Sequence, residues 1–307
     1  MSRLVAVDWG SSSLRAALLD HHGMVLEERS TAEGMLNVER SGFDAVFEAT
    51  VGDWMDVAGT RCLMAGMVGS RQGWVEADYV PCPCSRDDFV ARLKPVGEAS
   101  ARRRDIAIVP GASCLADGVP DVLRGEEAKA FGVLELLGTD SATVVSPGTH
   151  SKWMTLENGR LVRFSTAMTG EFYALLRRHS ILSRGMPPED DDALDGAAFD
   201  AGVRRALASC GLLHTAFGVR TRSLFGELPA TSLASHLSGL VIGEELRCRP
   251  LAGVRSLALV GAATLTERYA RALATRGVDA RVFDEDAVWR GLAAIDRARG
   301  EREGTSR

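Results

Sequence analysis

The run Leu4-Val5-Ala6-Val7-Asp8-Trp9-Gly10-Ser11-Ser12-Ser13-Leu14-Arg15-Ala16-Ala17-Leu18-Leu19-Asp20 constrains the fold more than any other segment. Two apolar runs of strand length flank a Gly/Ser turn, and an acid closes the first run, so the segment reads as a β-hairpin. This separates it from the Walker and Rossmann loops, whose glycine-rich turns lead into a helix N-terminus. Small residues in such a turn let backbone N–H groups approach an anion, with Asp8 placed to hold a metal. An ordinary N-terminal hairpin with a serine-rich turn has the same pattern, so the rest of the chain must decide.

A chain of 307 residues is long enough for two domains, because single cores rarely grow beyond about 250–300 residues. The net charge of -5 argues against a nucleic-acid partner, so an anionic substrate needs local donors. No apolar run approaches the ~20 residues that span a bilayer, and Asp8 in the first strand is unlike a signal peptide. Neither a membrane nor a nucleic acid is therefore expected as partner, and a homodimer is compatible with the sequence. The cysteines Cys62, Cys82, Cys84, Cys114, Cys210 and Cys248 lack paired metal spacing. They read as reduced thiols in a cytoplasm.

Along the chain, Met24 to Arg29 reads as a strand and Phe43 to Val57 as an amphipathic helix. Arg61 to Met67 is a strand running into Val68-Gly69-Ser70-Arg71-Gln72-Gly73-Trp74, and Ile106 to Val109 is another. A second unit is expected from Asp117, giving domains 1–116 and 117–307. Glu126 to Leu137 reads as a helix ended by Gly138, and Ala142 to Val145 as a strand. That strand stops at Ser146-Pro147-Gly148-Thr149-His150-Ser151-Lys152-Trp153, a second small-residue turn, and Asn158-Gly159 marks a hairpin. Residues 172–182 and 231–247 read as helices, and Pro187 to Asp195 as a polar loop. The remaining elements are a strand at Leu257 to Val260, a helix at Leu265 to Arg276, a strand at Val278 to Phe283 and a helix at Ala287 to Arg299. Strand, small-residue turn, strand thus occurs twice, predicting two α/β units with mixed sheets flanked by helices and a ligand cleft between them.

Six blocks carry a resemblance that covers nearly the whole chain: Val7 to Arg15, Gly66 to Trp74, Arg124 to Glu127, Pro147 to Trp153, Thr169 to Phe172 and Arg177 to Leu182. In their order and spacing the chain resembles the sugar kinase, actin and Hsp70 superfamily, and within it the 2-dehydro-3-deoxygalactonokinase family. The resemblance implies two ribonuclease-H-like domains that close around ATP, Mg²⁺ and a sugar acid. It implies a first phosphate loop with Gly10, Ser11 and Ser12 facing the phosphates and Asp8 orienting Mg²⁺ through water. Arg15 either approaches phosphate or is a surface residue.

The second phosphate loop implied is Gly148, Thr149, His150 and Ser151, beside a Lys152 that either neutralises charge or is solvated. Glu126 is the expected base, where related kinases use an aspartate. Glu127 and Asp121 are its rivals, and both glutamates would also suit the helix N-terminus electrostatically. Arg71 is the expected partner of the substrate carboxylate, because guanidinium binds it through two parallel hydrogen bonds. Ser70 and Gln72 are expected to read hydroxyls and Trp74 to offer an apolar wall, or to pack in the core. Glu171 is a further substrate candidate, Arg177, Arg178 and His179 read as a solvated face, and Gly261-Ala262 as the adenosine motif. The implied reaction is ATP-dependent phosphorylation of 2-dehydro-3-deoxy-D-galactonate at its 6-hydroxyl. A kinase for another sugar or sugar acid, and a non-catalytic nucleotide-binding sensor, are the alternatives.

Overall fold

A computed structural model describes residues 3–96, 104–116, 118–187 and 193–305. Asp117, the expected start of the second unit, and residues 188–192 of the polar loop lie outside the described residues. The N-terminal segment is the antiparallel hairpin its alternation predicts. Strands β1 (Leu4–Trp9) and β2 (Leu14–Leu19) pair from Leu4 with Leu19 to Trp9 with Leu14, so Asp8 lies opposite Arg15. Strand β3 (Val25–Thr31) extends the hairpin. Helix α1 (Phe43–Met55) then buries Phe43, Phe47, Val51 and Trp54, positions three or four apart that share one face. That face packs on Val5, Val7 and Trp9. With period-two alternation, Leu4, Ala6 and Asp8 point to the opposite side of the sheet.

Strand β4 (Arg61–Ala65) runs parallel to β1. It is followed by β5 (Tyr79–Pro81), β6 (Cys84–Ser85), α2 (Arg86–Val90), β7 (Lys94–Pro95) and β8 (Asp105–Ile108). The sheet order β3-β2-β1-β4-β8-β7 buries β1 at its centre. A small sheet of order β10-β9-β5 is made with β9 (Gly111–Ala116) and β10 (Val119–Leu123). Helix α3 (Glu126–Leu137) ends at Gly138, which takes the left-handed conformation at φ 64°. Strands β11 (Ala142–Ser146), β12 (Ser151–Glu157) and β13 (Arg160–Ala167) are neighbours in a second six-stranded sheet. Asn158 and Gly159, both with positive φ, form the turn between β12 and β13.

The next elements are α4 (Thr169–His179), α5 (Gly196–Leu207), α6 (Leu212–Thr215), α7 (Phe217–Leu224) and α8 (Ala230–Arg247). The chain finishes with β14 (Ser256–Val260), α9 (Ala263–Ala274), β15 (Asp279–Phe283) and α10 (Ala287–Thr305). Among the described residues no helix is long and apolar enough to cross a membrane.

The chain divides into two compact units that do not follow the 116/117 boundary. One comprises Met1–Val144, Trp153–Ser165 and Glu285–Arg307, the other Val145–Lys152 and Thr166–Asp284. The C-terminal helix returns to the first unit, an association between chain ends that local patterning does not report. There α10 crosses α3 at a point where no side chain fits. A Cβ on Gly132 would lie 1.8 Å from the Ala287 carbonyl, and one on Gly291 1.8 Å from that of Ala128. In the second unit α5 and α8 meet the same way, Gly239 against the Phe199 carbonyl and Gly202 against that of His236.

Candidate active site

In the first unit the site is built on backbone contact. The chain leaves β4 through Gly66, at φ 100°, and enters α3 through Gly125, at φ 102°, conformations that glycine adopts without penalty. A Cβ on Gly125 would sit 3.1 Å from the Gly66 Cα, and one on Gly66 2.7 Å from the Trp9 carbonyl and 3.4 Å from Asp8 Oδ1. This stack of strand end, turn and helix start places Asp8 beside the first turn of α3. Asp8 is largely buried, with 17% of its side chain exposed. Burial pushes its carboxyl above the usual range, and Lys129 and Arg15 pull it partly back. The Lys129 ammonium lies 3.9 Å from Asp8 and 3.6 Å from Glu285.

The two glutamates at the helix start differ in environment. Glu126 is partly exposed and accepts the Arg124 N–H at 3.0 Å. Glu127 is fully buried and accepts the Gly125 N–H at 2.7 Å, while its Oε1 is buried without a partner. Burial, with the neighbouring Glu126 charge, pushes the Glu127 carboxyl up to about 8. Asp121 lies in β10, and its carboxylate turns back to the Val122 N–H at 2.8 Å.

The first loop is held from behind by its carbonyls. The Met35 N–H donates to the Gly10 carbonyl at 2.9 Å and the Leu36 N–H to the Ser11 carbonyl at 3.0 Å. In a planar trans peptide the N–H points opposite to the C=O, so the amides of Ser11 and Ser12 face away from the 34–36 segment. Such successive free-facing amides are anion-binding geometry. Arg15 is drawn away from that role. It pairs with Asp286 and with Glu285 at 3.6 Å, and lies 5.2 Å from the Trp289 ring centroid.

The Gly66 to Trp74 block forms a tight turn closed by Ser70, Gly73 and Trp74 amides. Ser70 is 7% exposed, and its hydroxyl makes no hydrogen bond within the described residues. Arg71 and Gln72 are exposed. Trp74 is only partly exposed, its ring packed among Trp9, Phe43 and Phe47 with centroids 5.5–6.5 Å away, so core packing is its main role. Arg124 stacks 4.5 Å over Tyr79, donates to the Ala77 carbonyl at 2.7 Å and backs this turn at Gly69.

In the second unit the Gly148 to Ser151 turn sits against the start of α4. A Cβ on Gly170 would lie 2.4 Å from the Gly148 carbonyl, and the Glu171 N–H donates to the Thr149 carbonyl at 3.0 Å. That bond turns the His150 N–H the other way. Thr149 and His150 are exposed, and His150 pairs with Glu171 at 2.5 Å. Ser151 is fully buried with its hydroxyl on Glu245 at 2.9 Å, so its side chain anchors the loop. Gly261, at φ 149°, lies against this turn, where a Cβ would be 3.5 Å from the Pro147 carbonyl, and Ala262 opens α9. Lys152 is buried rather than solvated, donating to Thr166 at 2.9 Å. Arg177 is buried too, contrary to a solvated face, and contacts Pro187 and Met186.

Lys129 and Glu245 border these turns without having been singled out in the sequence, and Arg124 was noted there only as part of a motif block. Lys129 had a signal, since it stands three positions after Glu126 on the same helical face. Glu245 had a partial one, a carboxylate inside an apolar run, obscured by the adjacent Glu244.

The fold defines the class of protein. The activator of the 2-hydroxyisocaproyl-CoA dehydratase from Clostridium difficile, solved with bound ADPNP, matches with a TM-score of 0.53 at 15% identity, covering 98% of this chain and 97% of that one. The two share a fold of mixed sheets flanked by helices, an α/β architecture. Residues 8–295 match the family model of 2-keto-3-deoxy-galactonokinase. The probable 2-dehydro-3-deoxygalactonokinase DgoK1 of Rhizobium meliloti (strain 1021) is 38% identical over 95% of this chain and 96% of that protein. The 2-dehydro-3-deoxygalactonokinase of Escherichia coli (strain K12) is 34% identical over 97% of this chain and 98% of that protein. The crystal structure of a candidate 2-dehydro-3-deoxygalactonokinase from Sinorhizobium meliloti matches with a TM-score of 0.87 at 37% identity, covering 96% of this chain and 98% of that one. The chain belongs to the 2-keto-3-deoxy-galactonokinase family, and it is a carbohydrate kinase.

Proposed function

We propose that the protein transfers the γ-phosphoryl group of ATP to the 6-hydroxyl of 2-dehydro-3-deoxy-D-galactonate, giving ADP and the 6-phosphate. The observation that carries this reading is the match of residues 8–295 to the 2-keto-3-deoxy-galactonokinase family; the Gly66–Gly125 contact supports it by bringing Asp8, the proposed metal-orienting acid, beside the helix start that bears Glu126. Phosphoryl transfer needs little covalent work from the protein and much positioning and charge stabilisation. In this reading the hydroxyl oxygen of C6 bonds to the γ-phosphorus as the bond to the bridging oxygen breaks, and the hydroxyl proton passes to Glu126. Geometry favours Glu126 over Glu127: Glu126 is partly exposed, whereas Glu127 is sealed beneath its own helix start.

Asp8 fits Mg²⁺. It is a desolvated carboxylate whose nearest cation is the Lys129 ammonium at 3.9 Å. Among the described residues no three acidic, histidine or cysteine side chains form a metal cage, and Mg²⁺ typically uses one or two carboxylates plus water and phosphate. When bound, Mg²⁺ would offset charge on the phosphate oxygens. The amides of Ser11, Ser12 and His150, with the Thr149 hydroxyl, are assigned to the phosphates, and the backbone of Gly261 and Ala262 to the adenosine. Arg71 is assigned to the substrate carboxylate, with Ser70, Gln72 and Glu171 to its oxygens.

A coupled ADP-release assay across 2-keto-3-deoxy acids, neutral sugars and polyols tests the substrate. Activity confined to the sugar acids is expected, and equal activity on a neutral sugar would refute the carboxylate role. For the base, Glu126→Gln is expected to lower kcat about 100-fold or more. Near-normal kcat in that variant would remove Glu126 from the role.

A further inference from the structure

We propose that Glu245 is a positioning residue that holds the second phosphate loop in its ligand-ready form, an inference that rests on the nucleotide role assigned to that loop. Glu245 lies inside α8 and is 6% exposed. A carboxylate so placed is costly unless hydrogen bonds satisfy it. Three hydroxyls from three separate segments do so. Ser151 donates to Oε1 at 2.9 Å, Tyr269 donates to Oε2 at 2.6 Å, and Thr169 also donates to Oε2.

Each donor adjoins a stretch assigned to ligand. Ser151 directly follows Gly148-Thr149-His150, and Thr169 directly precedes Gly170-Glu171. Tyr269 lies on α9, the helix that Gly261-Ala262 opens. One carboxylate therefore ties together the starts of β12 and α4 and the body of α9. Both carboxyl oxygens act as acceptors here, so the Ser151 and Thr169 hydroxyls are directed to Glu245. Those side chains fix where the adjoining backbone sits and leave the exposed amides and Thr149 to meet phosphate. The phenol of Tyr269 is kept protonated by burial and by the Glu245 charge, so it remains a donor.

The test compares wild type with Glu245→Gln, Ser151→Ala and Tyr269→Phe. It uses initial rates at varied ATP and varied sugar acid, calorimetric binding of ADP, and thermal unfolding. Charge-assisted bonds of this kind predict that Glu245→Gln raises KM for ATP and weakens ADP binding about tenfold. The single-hydroxyl variants should each give about threefold, with KM for the sugar acid within about twofold of wild type. A structural role alone would lower the unfolding temperature without splitting the two KM values. ADP affinity within twofold of wild type in every folded variant overturns the proposal, as does a sugar-acid KM that rises in step with that for ATP in Ser151→Ala and Tyr269→Phe, which leave the Thr169 bond next to Glu171 in place. If Glu245→Gln does not fold, the two single-hydroxyl variants decide. Wild-type inactivity on the sugar acid, with ADP binding still weakened in the variants, refutes the substrate reading and leaves the positioning role standing.

Discussion

Glu127→Gln should make the protein more stable at alkaline pH while leaving the helix start intact. The Glu127 carboxyl is raised from its ordinary 4.5 to about 8, chiefly by burial. Between those values the folded state holds a proton that the unfolded state has released. Stability therefore falls as pH rises through that window and levels off above it. Each pH unit is worth about 1.4 kcal/mol, so this one group removes up to about 5 kcal/mol by pH 8. Glutamine keeps the oxygen that accepts the Gly125 N–H and places an amide where the acid's O–H stood. The variant lacks that slope, so its advantage should grow from pH 5 to pH 8 and then hold steady. Urea unfolding midpoints of both proteins from pH 5 to pH 9 measure it directly. Parallel profiles, or a variant less stable than wild type at pH 8.5, would refute the reasoning. The same variant should keep kcat within about tenfold of wild type; a loss as large as that expected for Glu126→Gln would place Glu127 in the chemistry.

Gly66→Ala introduces a Cβ 2.7 Å from the Trp9 carbonyl at a φ of 100°, and should cost about 2–4 kcal/mol from strain and overpacking. A shift of order 1 Å between Asp8 and the start of α3 should also lower kcat about 100-fold, and an alanine variant with wild-type kcat would show that the glycine stack does not set the site. Asp8→Asn should lower kcat about 100-fold and raise the Mg²⁺ concentration needed for half-maximal rate. A Mg²⁺ titration superimposable on the wild type's would remove Asp8 from the metal role.

Elements with a strong local period were legible before any coordinates. The β1–β2 hairpin, α3 with its Gly138 stop, and the Asn158-Gly159 turn fall where alternation, helix spacing and turn chemistry put them. The strands β9 and β10 were not legible. Val119-Pro120-Asp121-Val122-Leu123 carries Pro and Asp, which read as turn, and Val119 and Val122 are exposed at the margin of a small sheet. Helix α5 was hidden by Gly196 and Gly202, residues that weaken a helix signal. Gly202 is there because α8 passes too close for a side chain. Arg177 and Lys152 misled for a related reason: charged residues are usually solvated, and only the fold shows them buried on specific acceptors.

By itself the sequence determined the twice-used strand–turn–strand element, the family, and the set of residues from which the proposed phosphoryl-transfer site is drawn. Those follow from local spacing, which periodic burial and turn chemistry impose on neighbours in the chain. Tertiary structure decided the surroundings of each residue in that set. It distinguished two adjacent glutamates, leaving Glu126 partly exposed and sealing Glu127 into a state with a carboxyl near 8. It turned Arg15 to Asp286 and Ser151 to Glu245, and it brought Lys129 to Asp8. Desolvation and long-range pairing set those outcomes, and both depend on which surfaces meet after folding, which the spacing of residues along the chain does not record.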